Sequence, residues 1–340
     1  MNADTKRLFL RGRSSVSGFR KALLCWYDAE KRDLPWRRNN DFYPVWISEI
    51  MLQQTRVEAV TPYFLRFMGL FPDVRALAAA EESTVLAAWS GLGYYSRARN
   101  LHRAAKAIAA GGEPSDFESI RALAGVGDYT AAAVASIALG DARAAVDGNV
   151  MRVISRLAND AADIRAGETR RRFAGQAARL VDRRRPGDFN QAMMELGATV
   201  CTPKAPDCGK CPVERFCGAR AAGTAAQLPV KLGGKPAREV ALDVAVLARD
   251  GRVFLVERAA SERRLAGFRE LPGKKDVKGA RFRAAGEFTH QIVNDRFRVR
   301  VWVAGTPAGL PAGEWISPSE LGDLPVTTTA KKALRIAGLL

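Results

Sequence analysis

The stretch Leu123-Ala124-Gly125-Val126-Gly127-Asp128-Tyr129-Thr130 joins two segments whose sequence pattern is helical. Two glycines separated by one residue allow the backbone to turn tightly and to approach a ligand closely. The helix that follows directs free backbone N–H groups toward the turn, where a phosphate group fits. Contacts of this kind carry no base information, so Gly125 and Gly127 would serve affinity and positioning. An ordinary turn between two helices remains the alternative, because the G-x-G spacing alone is weak evidence.

The pattern on both sides of this turn is helical from Ser17 to about Ala225. Apolar residues recur three and four positions apart, as in the segment from Val57 to Met68, and alanine-rich runs also favour helix. Proline and glycine residues interrupt the pattern at short intervals. We therefore predict an all-helical domain over residues 18–226, preceded by a disordered basic arm over residues 1–17.

The pattern changes after this helical region. Residues 227–238 are rich in Gly, Pro and Lys and are interpreted as a linker. Two apolar runs then flank Asp250-Gly251, a pair typical of a β-hairpin turn. A further alternating run covers residues 297–303, and residues 327–336 are predicted to form a closing helix. Residues 239–340 are therefore predicted to be a small α+β domain, in a chain that is mainly α.

Composition restricts the classes of function. The 340 residues carry a formal net charge of +17, for which a polyanionic partner such as nucleic acid is the simplest reason. No apolar run is long enough to span a bilayer, and the N-terminus lacks the features of a secretory signal, so we expect a soluble cytoplasmic protein. No motif suggests oligomerisation, and a monomer is expected. The only histidines, His102 and His290, argue against a His-ligated zinc enzyme.

Four of the five cysteines lie together. Cys201, Cys208, Cys211 and Cys217 follow the spacing C-x6-C-x2-C-x5-C, and four thiolates in one loop can bind zinc or a [4Fe–4S] cluster. The spacing does not decide between the two. The fifth, Cys25, lies in an apolar helical segment and is predicted to be a packed core thiol.

Two acidic residues have unusually apolar neighbours. Glu49 lies within the run from Val45 to Leu52, and Asp147 follows an apolar stretch at the start of a predicted helix. One protonated and one ionised carboxyl group are what hydrolysis of a glycosidic bond requires, and burial raises a carboxyl pKa. The alternatives are that Asp147 only caps a helix and that Glu49 is solvated.

Several motifs occur in order over the first 220 residues. They are Leu34-Pro35-Trp36-Arg37, the segment Val45 to Thr55, the segment Gly91 to Leu101, Val146-Asp147-Gly148-Asn149-Val150, and the cysteine loop directly after residues 189–198. Together they resemble adenine DNA glycosylases of the MutY type, within the endonuclease III and helix-hairpin-helix superfamily. The resemblance implies a helix-hairpin-helix at residues 123–130, where Ala124 replaces the usual proline. It also implies a [4Fe–4S] cluster, outside the catalytic centre, in an iron–sulfur loop over residues 201–217.

The resemblance further implies roles for individual residues. Glu49 would be the general acid that protonates the adenine at N7, and Asp147 would stabilise the sugar cation. Asn149 would orient Asp147 or its water. Tyr129 would lie beside the reacting sugar, at the position where bifunctional relatives carry a lysine that forms a Schiff base. Tyrosine cannot form one, so base removal without strand cleavage is expected.

Other matching positions concern recognition. Trp36, Arg37 and Glu195 match residues that line the adenine pocket. Gln53 and Tyr94 match residues that fill the gap left by the base or wedge into the stack. For the aromatic side chains, packing in the core is the alternative.

The C-terminal region resembles the Nudix-like domain of the same family. Residues 265–280 leave no room for the glutamate-rich helix that a working Nudix hydrolase needs, so nucleotide hydrolysis is not expected. Phe288-Thr289-His290 matches a Phe-Ser-His loop that reads 8-oxoguanine in the family, with Thr289 and His290 as the reading residues. The alternative is that His290 is a strand-end histidine without a ligand.

The expected function is therefore that of a nucleoid-associated, monofunctional adenine DNA glycosylase of base excision repair. Its partner would be double-stranded DNA with an adenine:8-oxoguanine or adenine:guanine mispair. Three rivals remain: a pyrimidine glycosylase with lyase activity, a catalytically silent DNA-binding protein and a nucleotide-pool hydrolase.

Overall fold

The computed structural model describes residues 13–233, 238–259, 261, 262, 265, 267–292, 295–305, 307–322 and 324–340. The first twelve residues of the predicted basic arm lie outside this range. Residues 13–17 of the predicted arm lie in the first described helix, Arg13–Glu30. The described chain divides into two compact units, one made of residues 13–68 and 107–233, the other of residues 69–106 and the described residues from 238 onward.

Twelve α-helices precede the sheets within the described residues. In chain order they are α1 Arg13–Glu30, α2 Phe42–Leu52, α3 Val57–Leu70, α4 Val74–Ala79, α5 Glu82–Ala88, α6 Ser96–Gly111, α7 Phe117–Arg121, α8 Asp128–Ala138, α9 Gly148–Leu157, α10 Gly167–Leu180, α11 Pro186–Thr199 and α12 Gly218–Ala221. A 3-10 turn at Pro35–Arg37 precedes α2.

The core of the first unit lies between α1, α9, α10 and α11, where side chains such as Phe19, Phe173 and Phe189 are buried. Helix α11 begins with Pro186 at a position where no intrahelical N–H is needed. At Gly197 a Cβ would lie 2.6 Å from the Cβ of Asn149, so only glycine permits this close approach of α11 to the start of α9. That approach fixes where Asp147 and Asn149 lie.

One member of the core was predicted wrongly. Cys25 lies on the exposed side of α1, although its neighbours Leu23 and Leu24 are buried. An apolar helical segment has two sides, and local composition did not reveal which side Cys25 occupies.

Helices α7 and α8 form the predicted hairpin. Gly125 has a φ of 80°, in the left-handed region that favours glycine. Gly127 is the N-cap of α8 and has extended backbone, with no side-chain hydrogen bond capping the helix. No capping side chain therefore takes up the first N–H groups of α8.

The described residues of the second unit form two sheets. Their strands are β1 Arg238–Val246, β2 Ala248–Arg249, β3 Arg252–Glu257, β4 Arg269–Glu270, β5 Phe282–Ile292, β6 Asp295–Ala304 and β7 Glu314–Ile316, followed by α13 Thr328–Ile336. The first sheet has the order β1-β6-β5, with β1 parallel and β5 antiparallel to β6. The second has the order β2-β3-β4, and β7 also pairs with β3.

Two local predictions for this unit are confirmed. Strands β2 and β3 form an antiparallel hairpin around Asp250-Gly251, both of which have positive φ. The closing helix is α13, and Thr327 caps it by accepting a hydrogen bond from the backbone N–H of Ala330. The predicted fold class, mainly α with a small α+β C-terminal region, is confirmed. Within the described residues no helix is both long and apolar enough to cross a membrane.

Candidate active site

A cavity of about 620 Å³ opens in the first unit, and its walls come from the Pro35–Arg37 turn, α2, α8, the start of α9 and α11. Seven of the predicted site residues line it: Trp36, Arg37, Glu49, Tyr129, Asp147, Asn149 and Glu195. These residues are up to 159 positions apart in the sequence, so the tertiary fold brings them together.

Glu49 is buried in this cavity and is only 5% exposed. It lies in α2, where nine of the eleven residues are buried, so the helix has apolar surroundings on nearly all sides. Burial and the negative charge of Asp147 raise the pKa of Glu49 to about 7, against the lowering effects of Tyr129 and Arg37. A carboxyl group with this pKa is protonated in a large fraction of molecules near neutral pH and can act as a general acid.

The hydroxyl group of Tyr129 lies next to Glu49. It is 3.1 Å from Oε2 of Glu49 and 3.0 Å from Sδ of Met194 in α11. Burial and the nearby carboxyl groups of Glu49 and Asp147 raise the pKa of Tyr129 well above its usual value. The hydroxyl is therefore protonated at neutral pH and can donate one hydrogen bond.

Asp147 is the N-cap of α9, and its carboxylate also faces the cavity. Its Oδ1 accepts from the backbone N–H of Val150 at 2.7 Å, and its Oδ2 accepts from Nδ2 of Asn149 at 2.8 Å. Burial raises the pKa of Asp147, and these hydrogen bonds oppose the shift. Asp147 therefore caps α9, as the alternative stated, and it also lines the cavity.

Asn149 is itself held in place from the other side. Its Oδ1 accepts from Nη2 of Arg152 at 2.8 Å, and the same Nη2 donates to the carbonyl of Gly197 at 2.8 Å. Arg152 thus fixes the amide so that its nitrogen faces Asp147. Arg152 was not among the predicted residues, and nothing in its local sequence distinguishes it.

Glu195 is buried in the cavity wall and its side chain is 1% exposed. It accepts from Nε and Nη2 of Arg32, at 2.6 and 2.9 Å, and from Nη2 of Arg37 at 2.8 Å. Burial raises the pKa of Glu195, but the two arginines outweigh burial and the net pKa is lowered. Glu195 therefore ties the segment containing Arg32 and Arg37 to α11. Sequence reasoning did not find Arg32.

Two further predicted residues have partners in other elements of the first unit. Trp36 is buried and packs edge-to-face on Phe64, with ring centroids 5.2 Å apart, while it also lines the cavity. Gln53 follows α2, and its Nε2 donates to Oγ1 of Thr130 at 3.0 Å, at the start of the α8 hairpin helix.

Part of the chain matches a known protein family. Residues 47–178 match the family model described as HhH-GPD superfamily base excision DNA repair protein. The adenine DNA glycosylase of Mycolicibacterium smegmatis is 43% identical over 205 residues, which are 59% of this chain and 69% of that protein. The chain belongs to the adenine DNA glycosylase family.

A human relative and a solved structure also match this chain, and they differ in how much of each chain the match covers. The human adenine DNA glycosylase is 48% identical over 219 residues, which are 61% of this chain but only 40% of the human protein. The match thus spans less than half the length of the human family member. Among solved structures, a thermostable thymine-DNA glycosylase aligns with a TM-score of 0.55 and 27% identity, over 61% of this chain and 97% of that one.

Tyr94, predicted as a wedge in this glycosylase family, lies in the second unit. Its side chain is 41% exposed and its φ is 50°. The guanidinium of Arg97 lies 5.4 Å from the ring of Tyr94 and 5.4 Å from that of Trp89. The exposure of Tyr94 does not agree with the alternative that it packs in the core.

Thr289 and His290 also lie in the second unit, but in strand β5 and not in the loop that the family resemblance implied. Thr289 pairs with Arg298 and His290 with Phe297, so the segment lies inside the β5–β6 ladder. Because side chains alternate along a strand, the two residues point to opposite faces of the sheet. Burial and the nearby Lys332 lower the pKa of His290, which is therefore neutral near pH 7.

The four clustered cysteines of this glycosylase-family chain line one small cavity. Arg156, buried beside them, lies with its Nη1 3.2 Å from Sγ of Cys201. Burial, together with the other three cysteines, raises the pKa of Cys211 to about 12. In its chemistry alone, a donor set of four cysteine thiolates suits an iron–sulfur cluster or a zinc ion. Among the described residues, no three His, Cys, Asp or Glu side chains are grouped as ligands of one metal ion.

Proposed function

We propose that this protein removes adenine mispaired with 8-oxoguanine or guanine in double-stranded DNA, as part of base excision repair. The observation that carries the proposal is the buried carboxyl group of Glu49, whose pKa of about 7 suits a general acid, in the same cavity as Asp147. The membership in the adenine DNA glycosylase family supports adenine as the excised base.

In the proposed mechanism, the adenine nucleotide is flipped out of the duplex, at a cost that is least at a mispair. The adenine enters the cavity, where Glu49 protonates N7 and thereby makes the base a better leaving group. As the glycosidic bond breaks, the carboxylate of Asp147 balances the positive charge that develops on the sugar. A water molecule then adds to C1′ of the sugar and loses a proton, which leaves an abasic site and free adenine. Asn149, held by Arg152, keeps Asp147 oriented through the 2.8 Å hydrogen bond to Oδ2.

We propose that the reaction stops at base removal. A lyase needs an amine that forms a Schiff base with the sugar, and Tyr129 occupies the position where bifunctional relatives carry lysine. Its hydroxyl stays protonated, since the pKa of Tyr129 is well above 10. The described cavity lining contains arginines but no lysine.

We propose that Gly125, Gly127 and the first turn of α8 bind a DNA phosphate, and that Gln53 and Tyr94 act at the site of the extruded base. Thr289 and His290 are proposed to take part in reading 8-oxoguanine. Because their side chains lie on opposite faces of the sheet, only one of them would contact the base directly. The protein is expected to act as a monomer on chromosomal DNA in the cytoplasm.

We propose a [4Fe–4S] cluster as the cofactor, with Cys201, Cys208, Cys211 and Cys217 as its ligands. The cluster would be a structural centre that holds the loop over residues 201–217 in place. The basic residues of this loop are exposed, where they could contact DNA phosphates. Iron and sulfide content, with the visible absorbance of the purified protein, tests this proposal. One zinc ion per chain without iron would replace the cluster with a zinc site.

The test of the activity uses a duplex that contains one adenine opposite 8-oxoguanine, with strand breaks scored before and after alkali. Breaks that need alkali are expected. Breaks without alkali would reveal a lyase nucleophile and refute the monofunctional assignment. A duplex with thymine opposite guanine, and one with an undamaged adenine:thymine pair, serve as substrate controls. The Glu49→Gln variant should bind the mispaired duplex but release adenine about 10²- to 10⁴-fold more slowly, which separates an enzyme from a silent DNA-binding protein.

A further inference from the structure

The hydroxyl group of Tyr129 lies between two acceptors. Oε2 of Glu49 is 3.1 Å away, and Sδ of Met194 is 3.0 Å away on the opposite helix α11. A hydroxyl group carries one proton and can donate only one strong hydrogen bond at a time, while its oxygen can also accept. The proton of Tyr129 therefore has two alternative positions.

Each position suits one protonation state of Glu49. When Glu49 is ionised, Tyr129 donates to its carboxylate. When Glu49 is protonated, the carboxyl O–H can donate to the oxygen of Tyr129, provided that the hydroxyl proton turns away to another acceptor. Among the described residues, the structure gives the Tyr129 hydroxyl one such acceptor, the thioether of Met194.

We propose that Met194 is a positioning residue that keeps the general acid protonated, by accepting the Tyr129 hydrogen bond whenever Glu49 carries its proton. This inference rests on the proposed function for its consequence in catalysis. After Glu49 passes its proton to the leaving base, the Tyr129 hydroxyl turns back and donates to the carboxylate that remains. No proton is gained or lost by Tyr129 or Met194 during this cycle.

Other charged groups around Glu49 remain in place when Met194 is replaced. They are Asp147 at the start of α9, Arg37 on the Pro35–Arg37 turn, and the salt-bridged Arg32 and Glu195, with Arg56 and Glu58 farther along the same cavity. Asp147 raises the pKa of Glu49, and Arg37 lowers it. Since none of these groups contacts Met194 through a hydrogen bond, their effects on Glu49 are common to all the variants compared below.

Met194→Leu removes the thioether acceptor while it nearly conserves volume. Without that acceptor the Tyr129 hydroxyl keeps donating its hydrogen bond to Glu49, which favours the ionised carboxylate and lowers the pKa of Glu49. The loss of one weak hydrogen bond corresponds to a downward shift of about 0.4–1 pH unit. A general acid acts in its protonated form, so the high-pH limb of the rate profile should move to lower pH.

The chain offers a matched control in the neighbouring Met193, which is buried in the core and does not line the cavity. Met193→Leu makes the same chemical change one position away and should leave the titration of Glu49 unaltered. Met194→Gln restores an acceptor and should return the midpoint toward that of the wild type. These two variants separate the loss of an acceptor from a general disturbance of α11.

The decisive measurement is the titration of Glu49 in the full protein by difference infrared spectroscopy. The carbonyl band of the protonated carboxyl group is assigned by its loss in Glu49→Gln. Met194→Leu should lower the midpoint in the wild-type background and leave it unchanged in the Tyr129→Phe background, where no hydroxyl connects the two side chains. Equal midpoints in Met194→Leu and wild type, or equal shifts in both backgrounds, would overturn the inference. The readout needs no catalysis, so a protein that releases no adenine would refute the proposed function and still give this result.

Discussion

Glu49→Gln is expected to make the protein more stable at alkaline pH while it removes the general acid. The perturbation replaces a buried, titratable carboxyl group with a neutral amide of nearly the same size. In the folded protein the pKa of Glu49 is raised from 4.5 to about 7. In the unfolded chain the group has its ordinary pKa, so it ionises there at lower pH than in the folded state.

The sign and size of the effect follow from this difference. Below pH 4.5 the carboxyl group is neutral in both states and costs nothing. Between the two pKa values the unfolded state ionises first, and stability is progressively lost as pH rises through the folded pKa. At about 1.36 kcal/mol per pKa unit, the loss is below ~1 kcal/mol at pH 5 and about 3 kcal/mol at pH 8. Glutamine does not titrate, so its advantage over glutamate should grow from pH 5 to pH 8 by about 2.5 kcal/mol.

Urea unfolding at pH 5 and pH 8, followed by far-ultraviolet circular dichroism, measures this difference. Single-turnover release of adenine at the same two pH values should fall about 10²- to 10⁴-fold in the variant, the usual contribution of a general acid. If the variant gains no stability at pH 8 relative to pH 5, then Glu49 is ionised and solvated in the folded protein. The reasoning from burial to a raised pKa would then be refuted.

Three further predictions follow from the same structure. Glu195→Gln should lower the free energy of unfolding by about 3 kcal/mol, because two arginines lose their buried carboxylate partner. Urea unfolding measures this, and a loss below ~1 kcal/mol would contradict it. Asn149→Ala removes a hydrogen bond that lowers the pKa of Asp147, so the low-pH limb of adenine release should move to higher pH, and an unchanged limb would count against that role. Gly125→Ala should cost about 1–2 kcal/mol of unfolding free energy because its φ is 80°, whereas Gly127→Ala, with open space around a Cβ, is the matched control and should cost less.

The sequence predicted the helical region and the β-strand region of this chain well, because apolar residues recur with a different period in each. Apolar spacing of three and four separated the helical region from the alternating runs that became β1, β3 and β6. The Asp250-Gly251 turn and the capped helix α13 were also predictable, since turn and cap chemistry is local.

In the candidate site, too, some residues could be predicted from the sequence and others could not. Unusual carboxyl groups such as Glu49, and the clustered cysteines, can be recognised from the sequence because their neighbours or spacing are distinctive. Residues that act through distant partners cannot, and Arg32 and Met194 are examples. The opposite orientation of Thr289 and His290 required the strand assignment of β5.

The sequence by itself therefore determined which chemical groups are present, in which order, and in which type of local structure. The tertiary structure alone decided which of these groups meet. Burial in α2 sets the pKa of Glu49, and contact between α8 and α11 gives Tyr129 a second acceptor. The physical reason is that desolvation and hydrogen bonding depend on distances between elements far apart in the chain, and local sequence does not encode those distances.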